Sequence, residues 1–310
     1  MRAQIDAAAR RFRENQAFLH RTPLWRLPGA AFGLRCAEVW LKLEQFQVAG
    51  SFKARGMLNR LLANTIPAGG VIVASGGNAG IATAAAAKVL GVPCEVFVPT
   101  VSSPAKQARL RELGARVVVT GADYAEALQA CLARQQQNGA LLTHAYDQPE
   151  VVAGAGTLAK EIEEQGGTPD SVLVSVGGGG LIAGIAAWFE KTARVVALEP
   201  ELAPTLHAAR QAGAPVDVPV GGIAADSLGA KRIGAIAWEI TQRHLADAML
   251  LPDETIRASQ LWLWQQMKLA VEPAAALGLA ALQSGAYRPG ADEKVCLVLC
   301  GANLDPATLA

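Results

Sequence analysis

Aromatic residues are scarce in this chain (5%), charged ones are few (18%), and no uninterrupted apolar run approaches the roughly 18 residues that a membrane-spanning helix needs. Each shortage excludes something. Without a long apolar run, no segment is expected to cross a membrane. Twenty-eight Lys and Arg balance 27 Asp and Glu to a formal net charge of +1, so the chain offers no one-signed field to make nucleic acid or an anionic membrane its main partner. Met1 to Arg13 alternates charge with alanine and lacks the apolar centre of an export signal. It reads as a surface helix of a cytoplasmic protein. Disulfide chemistry is lacking too. Five cysteines (Cys36, Cys94, Cys131, Cys296 and Cys300) form an odd, scattered set that fits free thiols. Only Cys296 and Cys300 are close, and four residues apart on a strand is not a zinc spacing. Both are expected as small core residues.

Apolar residues and glycine are plentiful: 51% of the 310 residues are hydrophobic and 31 are glycine. That supplies the core of one large domain or two medium ones. From residue 71 short apolar runs alternate with helical stretches. Strands are predicted at Val71–Ala74, Cys94–Val98, Arg116–Thr120 and Ala140–Thr143. Helices are predicted at Ile81–Leu90, Ser102–Leu113 and Tyr124–Gln137. After a break near residues 144–150 the pattern restarts. A helix is expected over 151–165, strands over 171–176, 194–198 and 294–300, and helices after 180 and over 231–246, 254–270 and 274–284. Continuous apolar strands alternating with helices mean an α/β fold of two doubly wound domains with mostly parallel sheets.

Three segments carry chemistry. Gly50-Ser51-Phe52-Lys53-Ala54-Arg55-Gly56 sets a lysine among small and aromatic residues at a helix start. An amine is a nucleophile only when deprotonated, so a lysine that bonds to a carbonyl needs a desolvated or electropositive pocket. Arg55 is expected to help. Gly177-Gly178-Gly179-Gly180 follows a strand and opens a helix, an arrangement that turns backbone N–H groups towards an anion such as phosphate. Four glycines in a row exceed what a tight turn needs. The same stretch, with Leu181, Ile182 and Ala183, also matches a dinucleotide fingerprint, and Glu199 stands where a ribose-binding acid would be; an NAD-binding oxidoreductase is therefore a rival reading. Ser75-Gly76-Gly77-Asn78-Ala79-Gly80 is a second strand–loop–helix junction, suited to a carboxylate or to an ordinary capped turn. A lysine, a phosphate loop and a carboxylate loop together fit pyridoxal phosphate and an amino-acid substrate.

In these motifs, their order and their spacing, the chain resembles the serine/threonine dehydratases, pyridoxal-phosphate enzymes of the tryptophan-synthase-β-like group (fold type II). The resemblance runs from about Thr22-Pro23-Leu24 to Cys300-Gly301-Ala302-Asn303. It implies a cofactor cleft between a large domain (residues 1–46 with 146–310) and a small one (47–145). Lys53 would hold the cofactor as a Schiff base and later move the α-proton. Phe52 would border the ring, Asn78 would bond its hydroxyl, Gly177, Gly178, Gly179 and Gly180 would bind its phosphate, and Cys300 would contact its nitrogen. Ser75, Gly76, Asn78, Ala79 and Gly80 would hold the substrate, with Ala79 in place of a common histidine widening the pocket. Glu199, Ala203 and Thr205 fall at a cation site, where the hydroxyl of Thr205 in place of an aspartate favours a potassium-like ion; the alternative for Glu199 is a helix-capping acid. The implied activity is dehydration of serine, threonine or a bulkier 3-hydroxy amino acid to a 2-oxo acid and ammonia by a homodimer. A β-replacement lyase such as a cysteine synthase is the alternative within the group. The chain ends soon after its last core strand, so no regulatory domain is expected there, and a catabolic role follows.

Racemases of the group carry a serine where this chain has Gly76, as acid/base on the face of the substrate opposite the lysine. Glycine has no proton to give. The expected outcome is dehydration with little racemisation, checked by chiral analysis of residual substrate; abundant opposite enantiomer would contradict it.

Overall fold

The computed structural model describes residues 1–15 and 18–309. Helix α1 (Arg2–Glu14) turns Ile5 and Ala8 inwards. Strands β1 (Leu24–Pro28) and β2 (Glu38–Lys42) pair antiparallel, and α2 (Lys53–Leu62) begins at the flagged lysine. An alternating run follows: β3 (Val71–Ala74), α3 (Asn78–Leu90), β4 (Cys94–Val98), α4 (Pro104–Glu112), β5 (Arg116–Val119), α5 (Tyr124–Asn138) and β6 (Leu141–Leu142). Its strands form one parallel sheet in the order β5-β4-β3-β6.

The pattern then repeats with α6 (Pro149–Gly166), β7 (Ser171–Ser175), α7 (Gly180–Phe189), β8 (Arg194–Pro200), α8 (Thr205–Ala212), α9 (Ala235–His244), β9 (Leu245–Leu251), α10 (Asp253–Met267), α11 (Pro273–Gln283) and β10 (Lys294–Val298). The second sheet runs β1-β2-β10-β7-β8-β9, parallel except at β1. Its inner strands bury Val172, Val174, Val195, Val196, Val295 and Leu297 completely. A parallel sheet covered by crossover helices hides both faces, and continuous apolar strands result. The expected α/β class is what the structure has. Among the described residues, no helix is long and apolar enough to cross a membrane.

Three strands escape the sequence reading. β1 and β2 lie outside the alternating run that the reading followed. The helix expected over 231–246 is shorter, and β9 follows it at once. Leu, Ala and Met in β9 are helix formers by propensity, but pairing with β8 from Leu245 onwards decides the conformation.

α2 packs on α6 at very short range. A Cβ on Gly154 would stand 2.4 Å from the carbonyl oxygen of Arg55, so only glycine admits the approach. Beside this contact lies a buried charge network. Arg55 donates to both oxygens of Glu44 (2.8 and 2.7 Å) and to Glu161 (3.0 Å). Lys42 donates to the other oxygen of Glu161 (2.6 Å), to the Thr22 carbonyl (2.8 Å) and to Gln165 (2.9 Å). Burial by itself would raise the Glu161 carboxyl, but Arg55 and Lys42 outweigh it and hold the group below the usual range. Two cations and two anions cancel, and nearly every donor has an acceptor. A buried charge is tolerable only under those conditions.

This placement corrects an expectation. Arg55 points into the network, away from the cavity, and is not what activates Lys53. Arg55→Met should lower the free energy of unfolding by about 3–5 kcal/mol, because it leaves the buried Glu44 without its cation, with only the Thr22 hydroxyl still donating to it. Urea titration checks this; a loss below about 1 kcal/mol, the worth of a surface pair, would show that the network does not hold α2 in place.

Candidate active site

The C-terminal ends of β3, β7 and β10 and the start of α2 face one cavity, lined by Phe52, Lys53, Asn78, Tyr146, Ser175, Gly177 to Leu181, Ser227, Leu228, Glu272, Ala274 and Cys300. Of the residues predicted from sequence, Phe52, Lys53, Asn78, the four glycines and Cys300 therefore meet, from four separate stretches of chain. Ligand sites of parallel α/β sheets lie at this edge, where βα turns open outwards.

Lys53 is the first residue of α2, and the backbone before it is fixed: Phe52 N–H donates to the Cys300 carbonyl (3.0 Å), and Ser51 bridges to Gly301. Its Nζ donates to the Ala145 carbonyl (2.6 Å) and lies 5.2 Å from the centre of the Phe52 ring. The side chain opens on the cavity, yet the ammonium is packed round by protein. Burial pushes its pKa from 10.5 down to about 8, and the Glu272 carboxylate opposes the fall. Of the two settings expected for such a lysine, a desolvated or an electropositive pocket, desolvation is the one present, and Arg55 adds nothing to it.

The glycine run ends β7 and opens α7, whose first-turn N–H groups have no acceptor within the helix. The structure qualifies the argument that four glycines exceed what packing needs. A Cβ on Gly178 would lie 2.3 Å from the Tyr146 ring, one on Gly179 2.5 Å from Ile233 and Ala237, and one on Gly180 2.9 Å from the Tyr146 carbonyl. Gly179 also has φ of 88°, in the region open to glycine. Packing accounts for these three glycines, while the open amides account for the cavity they face.

The second loop closes tightly on itself: a Cβ on Gly80 would stand 1.8 Å from the Ser75 carbonyl oxygen. The first N–H groups of α3 therefore face out of the turn without intrahelical acceptors. Ser75, Gly76 and Gly77 are only partly buried. Ala79 differs from expectation. Its methyl is buried in an apolar cluster with Met57, Ala82 and Val151 and is not among the residues lining the cavity, so what it can offer a ligand there is its amide.

Sequence reasoning missed Glu272, which stands at the N-cap of α11 and lines the cavity beside Asn78 and Cys300. Asn78 Nδ2 donates to both of its oxygens (3.0 Å each), Asn303 N–H donates to Oε1 (2.8 Å), and Asn303 Nδ2 donates to Asn78 Oδ1 (2.7 Å). The only local signal was an acid before Pro273, which reads as a cap. Burial raises the Glu272 carboxyl, and the bonds from Asn78 and Asn303 offset this only in part. Burial and then Glu272 push the Cys300 thiol up, so it is uncharged.

Glu199 takes the capping role. Its Oε1 accepts from Thr205 Oγ1 (3.0 Å) and Leu206 N–H (2.7 Å), and Oε2 accepts from His207 N–H (2.8 Å), all in the first turn of α8. Thr205 Oγ1 also lies 2.6 Å from the Gly177 carbonyl, so its one proton is shared between that oxygen and Glu199; this ties α8 to the glycine run, and Ala203 is buried just before α8. Among the described residues, no group of three or more His, Cys, Asp or Glu is arranged to hold a metal. The geometry gives Glu199 a purpose without an ion.

Comparison with known proteins agrees with this arrangement. The family model described as "Pyridoxal-phosphate dependent enzyme" matches residues 16–301. An L-threonine ammonia-lyase of Geobacter sulfurreducens is 37% identical, over 88% of this chain and 69% of that one. A phenylserine dehydratase of Ralstonia pickettii is 36% identical, over 87% and 84%. The solved structure of maize serine racemase superposes with a TM-score of 0.91 at 28% identity, covering 99% of this chain and 95% of that one.

A lysine with pKa about 8 is half neutral near that pH. In the cofactor-free protein, the rate of capture of the aldehyde should rise about tenfold per pH unit below the midpoint and level off above it. Glu272→Gln removes a nearby negative charge and should move the midpoint lower. Stopped-flow absorbance checks both; an unmoved midpoint would show that Glu272 does not act on Lys53.

Proposed function

Since the chain belongs to the family of pyridoxal-phosphate-dependent enzymes, in its serine/threonine dehydratase group, we propose that it converts a 3-hydroxy amino acid into a 2-oxo acid and ammonia. The observation that carries this reading is the convergence of Lys53, the open helix start at the glycine run and the uncharged Cys300 on one cavity. These residues fit the cofactor. Lys53 stands ready for its aldehyde, the amides of Gly178 to Leu181 for its phosphate, Phe52 for a ring edge and Cys300 for the ring nitrogen. Bound there, pyridoxal phosphate supplies an electron sink for the α-carbon of an amino acid.

The protein's own groups set the rest. Lys53 Nζ, its ammonium weakened by burial, exchanges a proton with the α-carbon from its side of the substrate. The amides at the start of α3 hold the carboxylate and so fix which bond to the α-carbon faces Lys53. Cys300 presents a thiol and no charge, where an aspartate would stabilise a protonated ring nitrogen. Loss of the β-hydroxyl with a proton releases water, and that water is regained when the released imine hydrolyses to the 2-oxo acid and ammonia. Serine, threonine and bulkier 3-hydroxy amino acids are the proposed substrates, supported by the two lyases named above. A homodimer and a potassium ion near Glu199 belong to the proposal on the resemblance alone.

Racemisation is a second reading, favoured by the close superposition with a serine racemase and opposed by Gly76. The test is release of keto acid by the holoenzyme from serine, threonine and phenylserine. Keto acid is expected from at least one of them. Lys53→Ala should abolish turnover and the cofactor's visible band together. Product only from O-acetylserine with sulfide would replace the dehydratase reading by β-replacement.

A further inference from the structure

The loop after β4 passes over the second glycine loop, and Ser102 on it has a side chain with nothing to bond to. Its backbone is pinned on both sides: Ser102 N–H donates to the Pro99 carbonyl (3.0 Å), and its carbonyl accepts from Gln107 Nε2 (2.9 Å). The Oγ, however, is buried without a hydrogen-bond partner. A buried hydroxyl left unpaired is costly, and such groups in folded proteins usually mark a ligand or water. The neighbouring serine is different. Ser103 Oγ accepts from Lys106 N–H (3.4 Å) as the cap of α4.

What Ser102 Oγ faces is Gly76. A Cβ built on Gly76 would stand 3.1 Å from that oxygen and 3.3 Å from Val98 Cγ1. The hydroxyl therefore stands beside the place that a side chain at residue 76 would occupy. Gly76 belongs to the loop that leads into α3, whose first N–H groups have no acceptors within the helix. The orphan donor and the open amides lack the same thing, an anionic oxygen at the start of α3. One carboxylate would satisfy them together.

We infer that Ser102 is a substrate-binding residue whose Oγ–H donates to the α-carboxylate of the amino acid held by the Ser75–Gly80 loop. The inference rests on the dehydratase reading for the identity of the substrate, though not for the presence of a carboxylate. Lys106 on α4 pairs with Asp226, next to Ser227 and Leu228 of the cavity wall. This surface ion pair links α4 to the segment that carries Ser227 and Leu228. Ser102 thus contributes from a segment that none of the sequence motifs includes.

The test uses the holoenzyme and two readouts. Steady-state keto-acid formation gives KM and kcat. Titration with acetate, followed by the cofactor's visible band, gives carboxylate affinity without turnover. Losing a hydrogen bond to a charged oxygen should cost Ser102→Ala about tenfold in KM and in acetate affinity, with kcat within about threefold and the starting band unchanged. Ser103→Ala, which removes only the α4 cap, should leave both affinities unchanged, and Ser102→Thr, which keeps the hydroxyl, should restore them in part. Unchanged affinities in Ser102→Ala, or equal losses in Ser103→Ala, would overturn the assignment. If the parent holoenzyme forms no keto acid from any 3-hydroxy amino acid, the dehydratase reading fails, while the acetate titration still decides the role of Ser102.

Discussion

The buried network of Lys42, Glu44, Arg55 and Glu161 is the constraint on which the site depends. It joins β2, α2 and α6, with Arg55 only two residues beyond Lys53. Charges this deep are stable only when their partners stand at hydrogen-bond distance, so the network admits little sliding or rotation of α2. Gly154 adds a steric stop, since a side chain there would collide with the Arg55 backbone. The helix that presents Lys53 is thereby located from two sides. A nucleophile held this way keeps its direction without any bond to its own reactive nitrogen beyond the one from Nζ to Ala145.

The site separates two electrostatic tasks. The helix N-termini at α3 and α7 offer oriented N–H groups, suited to anions, at no net charge. Desolvation lowers the ammonium of Lys53 and raises the thiol of Cys300 and the carboxyl of Glu272. All three shifts favour the neutral forms. A cleft of this kind suits chemistry in which charge arrives with the ligand. The cluster of Asn78, Glu272 and Asn303 spans the cavity between α3 and the chain that follows β10, and so couples the small sheet's loop to the large sheet's edge.

Much of this was legible in the chain and some was not. The alternation of apolar strands and helices after residue 71 carries the α/β class, because parallel sheets impose it on each strand locally. The lysine motif and the two glycine loops were legible because close backbone approach demands glycine in runs. β9 was not, since its residues favour helix and only pairing with β8 overrides them. Arg55 was misread because a sequence shows that a cation is near Lys53 but not which way it points. Glu272 and Ser102 were invisible for a related reason. Each is an ordinary residue near a helix start, and its meaning comes from partners far away in sequence.

By itself, the sequence determined the alternation of elements, the places where backbone must lie bare, and the presence of a lysine among them. Those are local properties, written in period, glycine and capping residues. Only the tertiary structure decided which charges meet. Burial and distance, which set the state of Lys53, the capping duty of Glu199, the turn of Ala79 into the core and the empty reach of Ser102, arise between segments that the chain keeps far apart.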